Sequence, residues 1–158
     1  MSFTFTQAGF NLVEQLEGLE TTAYLDSGGV WTIGYGHTGS VREGETITLE
    51  EAKSLLLTDL QHAQQAVDEV VGSGNWALLI TNNQYSALVI FAYNIGDLAF
   101  TNSTLAHYLD NLQSKTYPST QYVTYQMRRW DTVRGSVNEG LVNRREAEIK
   151  LWNTPDKV

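Results

Sequence analysis

EGLETTAYLDSGGVWTIGYGHT, residues 17–38, is the stretch whose reading decides the fold. Gly18 breaks a helical run that ends at Glu17, and Ser27-Gly28-Gly29 then separates Ala23-Tyr24-Leu25-Asp26 from Val30-Trp31-Thr32-Ile33 as the loop of a β-hairpin. Two carboxylates and a hydroxyl gather in this short span. Glu17 lies at the C-terminal end of its helix, where the last peptide carbonyls disfavour a charged carboxylate, and a group kept protonated suits a proton donor. Asp26 precedes the turn and Thr32 follows it, so the two face each other directly or diagonally across the strands and can hold one water between them. One acid kept protonated and another kept ionised perform the two halves of glycosidic bond cleavage.

Working outward, alternation along residues 30–36 puts Trp31, Ile33 and Tyr35 on one face and Thr32, Gly34 and Gly36 on the other, where backbone can approach a ligand. Upstream, Thr6 is an N-cap for a first helix with Phe10, Val13 and Leu16 at three-residue spacing. Downstream, residues 39–47 are polar and turn-rich and close a small β-lobe. Thr48-Leu49-Glu50-Glu51 is a capping box, after which Ala52, Leu55, Leu56, Ala63, Val67 and Val70 trace a helical stripe as far as Gly72-Ser73-Gly74, about six turns. A helix that long reads as a strut joining two lobes. Every later segment reads as helix: Asn83 to Tyr93, Ser103 to Leu112, Ser119 to Trp130 and Leu141 to Trp152, punctuated by Gly96, Pro118, Gly135 and Gly140. The expected fold class is therefore α+β, mostly helical: a β-hairpin lobe over about 18–47, a connecting helix over about 49–71, and a helical lobe over about 75–158 packed with helix 6–17. All of it belongs to a single domain.

With 158 residues, 42% hydrophobic and 18% charged, the chain is long enough to bury a stable core and has no disordered character. It lacks cysteine, which excludes disulfides and thiol catalysis. The longest apolar run, Ala87 to Tyr93, is far short of the roughly 20 residues that span a bilayer, and the N-terminus has no cationic or apolar signal region. Net charge is −8, concentrated in residues 1–75, where 2 Lys and Arg oppose 11 Asp and Glu. Such a chain repels nucleic-acid phosphates, so nonspecific DNA or RNA binding is a poor hypothesis.

Gly34-Tyr35-Gly36-His37-Thr38-Gly39 matches the dinucleotide pattern G-x-G-x-x-G, but loop-like residues follow it instead of a helix that could receive a pyrophosphate. His37, His62 and His107 are scattered, so neither a metal nor a cofactor is expected. Trp31, Tyr24 and Tyr35 are either hairpin core or, for one of them, a sugar-stacking face. Arg144 and Arg145 either pair with Glu146 and Glu148 on a wet surface or supply one arginine to hold the Glu17 carboxyl in position.

Glu17, Asp26 and Thr32, separated by eight and five residues, resemble the E-x8-D-x5-T signature of the phage-type (T4-type) lysozyme family of glycoside hydrolases. TIGYGHT at residues 32–38, ITLEEA at 47–52, FAYNIG at 91–96, FTNSTL at 100–105 and GLVNRREAE at 140–148 follow in the same order, so the likeness covers nearly the whole chain. The resemblance implies a lysozyme-like fold with its cleft between the lobes, and an endolysin that cuts the β-1,4 bond between N-acetylmuramic acid and N-acetylglucosamine in bacterial peptidoglycan. It implies Glu17 as general acid, Asp26 and Thr32 as the holders of the attacking water, Asn94 as a substrate-cleft residue, Arg144 as the arginine that positions the acid, and His37 with Asp59 as a structural pair. It further implies a monomer that waits in the cytoplasm of the infected host until a holin opens the membrane. A water between sugar and carboxylate needs room, which predicts inversion with carboxyls roughly 6.5–9.5 Å apart. The rival readings are a peptidoglycan-binding module without catalysis and a transglycosylase or chitinase-like glycosidase.

Overall fold

A computed structural model describes residues 2–157 and divides them into two compact units, one of residues 13–61 and one of residues 2–12 with 62–157. The smaller unit holds the end of α1 (Gln7–Glu17), a three-stranded antiparallel sheet in the order β1 (Glu20–Leu25), β2 (Trp31–Gly34), β3 (His37–Thr38), and the first half of α2 (Leu49–Val71). Asp26 begins the expected loop. Its N–H donates to the Val30 carbonyl at 3.0 Å and its carbonyl accepts from Gly29 N at 3.0 Å, with Gly29 at φ +78, a turn closed by a left-handed residue.

Tyr24 pairs with Thr32 and Leu25 with Trp31, but the register shifts before Glu20 meets Gly34. The released stretch of β1 finds other partners: Thr22 bridges Thr46, Ala23 N donates to Glu45 O, and Ile47 N donates to Thr21 O. This explains how the polar 39–47 segment closes the lobe, because its backbone satisfies strand groups that β2 leaves unpaired. Val13, Ile33, Tyr35, Ala52, Leu56 and Leu60 form the core beneath the sheet. Thr48 caps α2 as its sequence predicts: Glu51 N donates to Thr48 Oγ1 at 3.1 Å, and Thr48 N donates back to Glu51 Oε1 at 3.3 Å.

In the larger unit the central element is α3 (Asn82–Ile95), nine of whose residues are buried. It packs on α7 (Glu139–Trp152), with α4 (Asp97–Thr101), α5 (Thr104–Asp110) and α6 (Thr120–Arg128) completing the helical set. Asp156 receives the first N–H groups of α3, from Asn82 and Asn83, at 2.8 Å each, where a carboxylate complements the helix dipole. Thr6 caps α1 through Gly9 N at 3.0 Å and bonds Asn83 and Ser86, tying the N-terminal segment to α3.

The expectation that everything after α2 is helical needs correction. Beyond Trp130 the chain forms a second small hairpin, β4 (Thr132–Val133) against β5 (Ser136–Val137). Its turn places both Arg134 (φ 52) and Gly135 (φ 81) in the left-handed region, which matches the twist of a two-residue hairpin. An arginine in that role carries little turn signal, so the segment passes for the end of a helix.

Candidate active site

Within the smaller unit each member of the Glu17, Asp26 and Thr32 trio is positioned by a different local device. Glu17 is the last residue of α1, half-buried, and the chain leaves it at Gly18 (φ +70), whose N–H donates to Glu14 O at 3.0 Å. Its carboxylate lies against the β2–β3 turn, where a Cβ added to Gly36 (φ +83) would come within 3.2 Å of Glu17 Oε2. Gly36 is therefore glycine for two reasons, its backbone conformation and the space the carboxylate occupies.

Asp26 caps its own hairpin loop. Its Oδ1 accepts from Gly28 N and Val30 N at 2.8 Å each, so Oδ2 is the oxygen left to face a water. Thr32 is 4% exposed and its hydroxyl donates to the Val30 carbonyl at 3.0 Å, which leaves the oxygen able to accept. Because Asp26 is bonded to Val30 and Thr32 pairs with Tyr24, Asp26 and Thr32 stand diagonally across the hairpin, as the sequence spacing predicts.

Tyr35 takes the hairpin-core alternative instead of offering a sugar-stacking face. It is 5% exposed, and its hydroxyl donates to Glu14 Oε2 at 2.7 Å. That bond, with burial and the carboxylate's charge adding, pushes the phenol pKa up to about 12. Tyr24 is 37% exposed and Trp31 half-buried. Glu14, not singled out in sequence, lies three residues before Glu17 on the same face of α1 and accepts the Tyr35 hydroxyl. His37 Nδ1 and Asp59 Oδ2 lie 2.8 Å apart, joining β3 to α2 as the structural pair expected. Among the described residues no group of three or more His, Cys, Asp or Glu could hold a metal ion.

A family model described as Phage lysozyme matches residues 14–148. The chain belongs to the phage lysozyme family. It is 38% identical over 158 residues to an endolysin of Bacillus phage PZA, a match covering 97% of this chain and 57% of that protein. The chain thus spans about half the length of the Bacillus phage relatives it matches. Among solved structures, the muramidase domain of SpmX from Asticaccaulis excentricus superposes with a TM-score of 0.81 at 34% identity, covering 97% of this chain and 99% of that one. An endolysin from Escherichia coli O157:H7 phage FAHEc1 gives 0.81 at 30% identity, with 98% of each chain covered. The fold of the chain is accordingly lysozyme-like α+β.

In the larger unit, the two adjacent arginines have separate fates. Arg145 is 1% exposed and its Nε lies 3.0 Å from Oε1 of the fully buried Glu148, so the wet-surface reading of this pair is corrected. Glu146 instead pairs with Arg128 at 2.7 Å on the surface. Arg145 also donates from Nη2 to Asn94 Oδ1, and its guanidinium stands 5.1 Å from the centroid of the Phe91 ring. Burial pushes the Arg145 pKa down from the usual arginine range, with the Glu148 charge opposing. Arg145, paired with Glu148, thus holds the amide of Asn94, a role the sequence does not reveal. Arg144 is half-buried on the same helix.

Proposed function

We propose that this phage lysozyme is a muramidase that hydrolyses the β-1,4 bond between N-acetylmuramic acid and N-acetylglucosamine in bacterial peptidoglycan. The observation that carries the reading is the division of labour on the β2 strand. Asp26 Oδ1 accepts from two backbone amides at one end, the Thr32 hydroxyl donates to the Val30 carbonyl in the middle, and the Glu17 carboxyl lies beside Gly36 beyond the other end. In this account Glu17 protonates the glycosidic oxygen as the bond breaks. A water donates one hydrogen bond to Thr32 Oγ1 and loses its other proton to Asp26 Oδ2 as it attacks the anomeric carbon. Attack by a water held opposite the leaving group gives inversion in a single displacement. The solved neighbour described as a muramidase domain and the endolysin relatives support the same substrate class.

The roles that the resemblance gives Asn94, as a substrate contact, and Arg144, as the positioner of the acid, stand with this proposal. So do action as a monomer and release from the host cytoplasm through a holin lesion. Cells expressing the chain should lyse on holin co-expression and stay intact without it.

The test is the product. Purified wall digested by the enzyme should yield new reducing ends, with the α anomer formed first by NMR. Anhydro ends would make the enzyme a transglycosylase, a β anomer would replace the water attack by a covalent intermediate, and wall binding without products would leave a binding module.

A further inference from the structure

The larger unit carries an aromatic surface that the proposed hydrolysis does not use. Trp76, at the end of a short 3-10 turn (Gly74–Trp76), is 79% exposed, and Tyr117 is 77% exposed. Single exposed rings are ordinary, but these two are held in place together. Gly72 (φ +75) and Gly74 (φ +57) shape the first loop, and a Cβ on Gly72 would lie 2.5 Å from the Trp76 carbonyl oxygen. Lys115 N donates to Ala77 O at 2.8 Å and Leu79 N donates to Thr116 O at 2.9 Å, so the loop bearing Trp76 is laced to the one bearing Tyr117. Two residues on, Ser119 N donates to the Tyr108 hydroxyl at 2.9 Å, and Tyr108 meets Tyr122 edge to face with centroids 4.5 Å apart. Beside that pair, Thr104, His107 and Asn111 line a shallow hollow of about 340 Å³.

Charge separates this surface from the rest of the molecule. The chain has 18 acidic residues and a net charge of −8, yet none of the acids falls within residues 70–96 or 111–130, the segments that carry Trp76, Tyr117 and Tyr122. The same segments carry Asn75, Gln113, Ser114, Thr116 and Gln121, which can donate and accept neutral hydrogen bonds. Flat rings with polar tips offer a stacking face to the C–H side of a hexose, while amides and hydroxyls match its hydroxyl and acetamide groups. An anionic bilayer would call for a cluster of cations, and Lys115 stands alone between these two loops.

We infer that Trp76, Tyr117 and the Tyr108–Tyr122 pair form a second carbohydrate-binding surface, which takes a strand of N-acetylated hexosamines and holds the enzyme on an insoluble wall. The inference takes from the proposed function only the identity of the wall polymer. It supplies wall retention that a net charge of −8 withholds from an anionic substrate.

The experiment measures binding of the full chain, carrying Glu17→Gln to prevent cleavage, to purified sacculi and to a soluble N-acetylglucosamine hexamer. Trp76→Ala should weaken sacculus binding about tenfold, Tyr117→Ala several-fold, and Trp76→Phe little, since each stacked ring contributes about one decade. In the otherwise wild-type enzyme Trp76→Ala should raise KM on sacculi while leaving kcat on soluble wall fragments unchanged. Sacculus binding that ignores both alanine changes would overturn the inference. So would ring-dependent binding confined to phosphatidylcholine–phosphatidylglycerol vesicles. Hydrolysis with unaltered binding removes this surface alone; ring-dependent binding by a wild type that cuts nothing removes the muramidase reading alone.

Discussion

Gly36→Ala tests whether the Glu17 carboxyl is located by the turn beneath it. At φ +83 an alanine is strained by about 1–2 kcal/mol, which should lower Tm by about 2–8 °C for a chain of this size. Its Cβ would also stand 3.2 Å from Glu17 Oε2, tight enough that the carboxylate must yield by a few tenths of an ångström. Because displacements near 1 Å can cost about a hundredfold in rate, a loss of about tenfold in kcat follows from this smaller shift. Gly39 provides the control, since it sits at φ +96 with nothing within 4 Å of an added Cβ. Gly39→Ala should show a comparable drop in Tm with activity near wild type. The assay is turbidity clearing of stripped walls at a temperature where both variants are folded. Equal activities for the two alanine variants would refute the claim that Gly36 makes room for the acid.

Breaking the buried Arg145–Glu148 pair by Glu148→Gln should destabilise the protein by about 3–5 kcal/mol, while Arg145→Met with Glu148→Leu should recover much of the loss, both read from urea midpoints. Asp59→Asn leaves His37 with a weaker partner and should lower stability by about 1 kcal/mol without changing the fold, as seen by thermal melts and circular dichroism. The Tyr35 phenol has a folded pKa of about 12 against an ordinary value of 10.0, so the unfolded state loses its proton first. Its stabilising contribution is complete below pH 10 and disappears as pH rises to about 12; denaturant titrations across that window should show a steeper decline for wild type than for Tyr35→Phe.

The features legible in sequence are those with strong local chemistry. The Gly28-Gly29 loop, the Thr48–Glu51 capping box and the apolar stripe of α2 each announce a single backbone solution, and each forms as expected. The diagonal of Asp26 and Thr32 was legible because the five-residue spacing spans a single hairpin loop. The β1 register shift was hidden, since it depends on which backbone groups the 45–47 segment reaches. The Arg134-Gly135 turn was hidden because a left-handed arginine resembles any helical arginine. Arg145 was misread for a related reason: burial of a charged pair is decided by the packing around Phe91 and Asn94, and the neighbouring acids Glu146 and Glu148 look alike in sequence. The Tyr35–Glu14 bond likewise needs the sheet in place before the two side chains can meet.

The most direct test of the central claim is the clearing rate of Glu17→Gln on outer-membrane-stripped walls, measured beside its Tm and its wall binding. The account predicts loss of nearly all hydrolysis, with wall binding kept and a Tm close to wild type, because an amide keeps the shape of the acid and cannot protonate the leaving oxygen. Reducing ends released at the wild-type rate by this variant would contradict it.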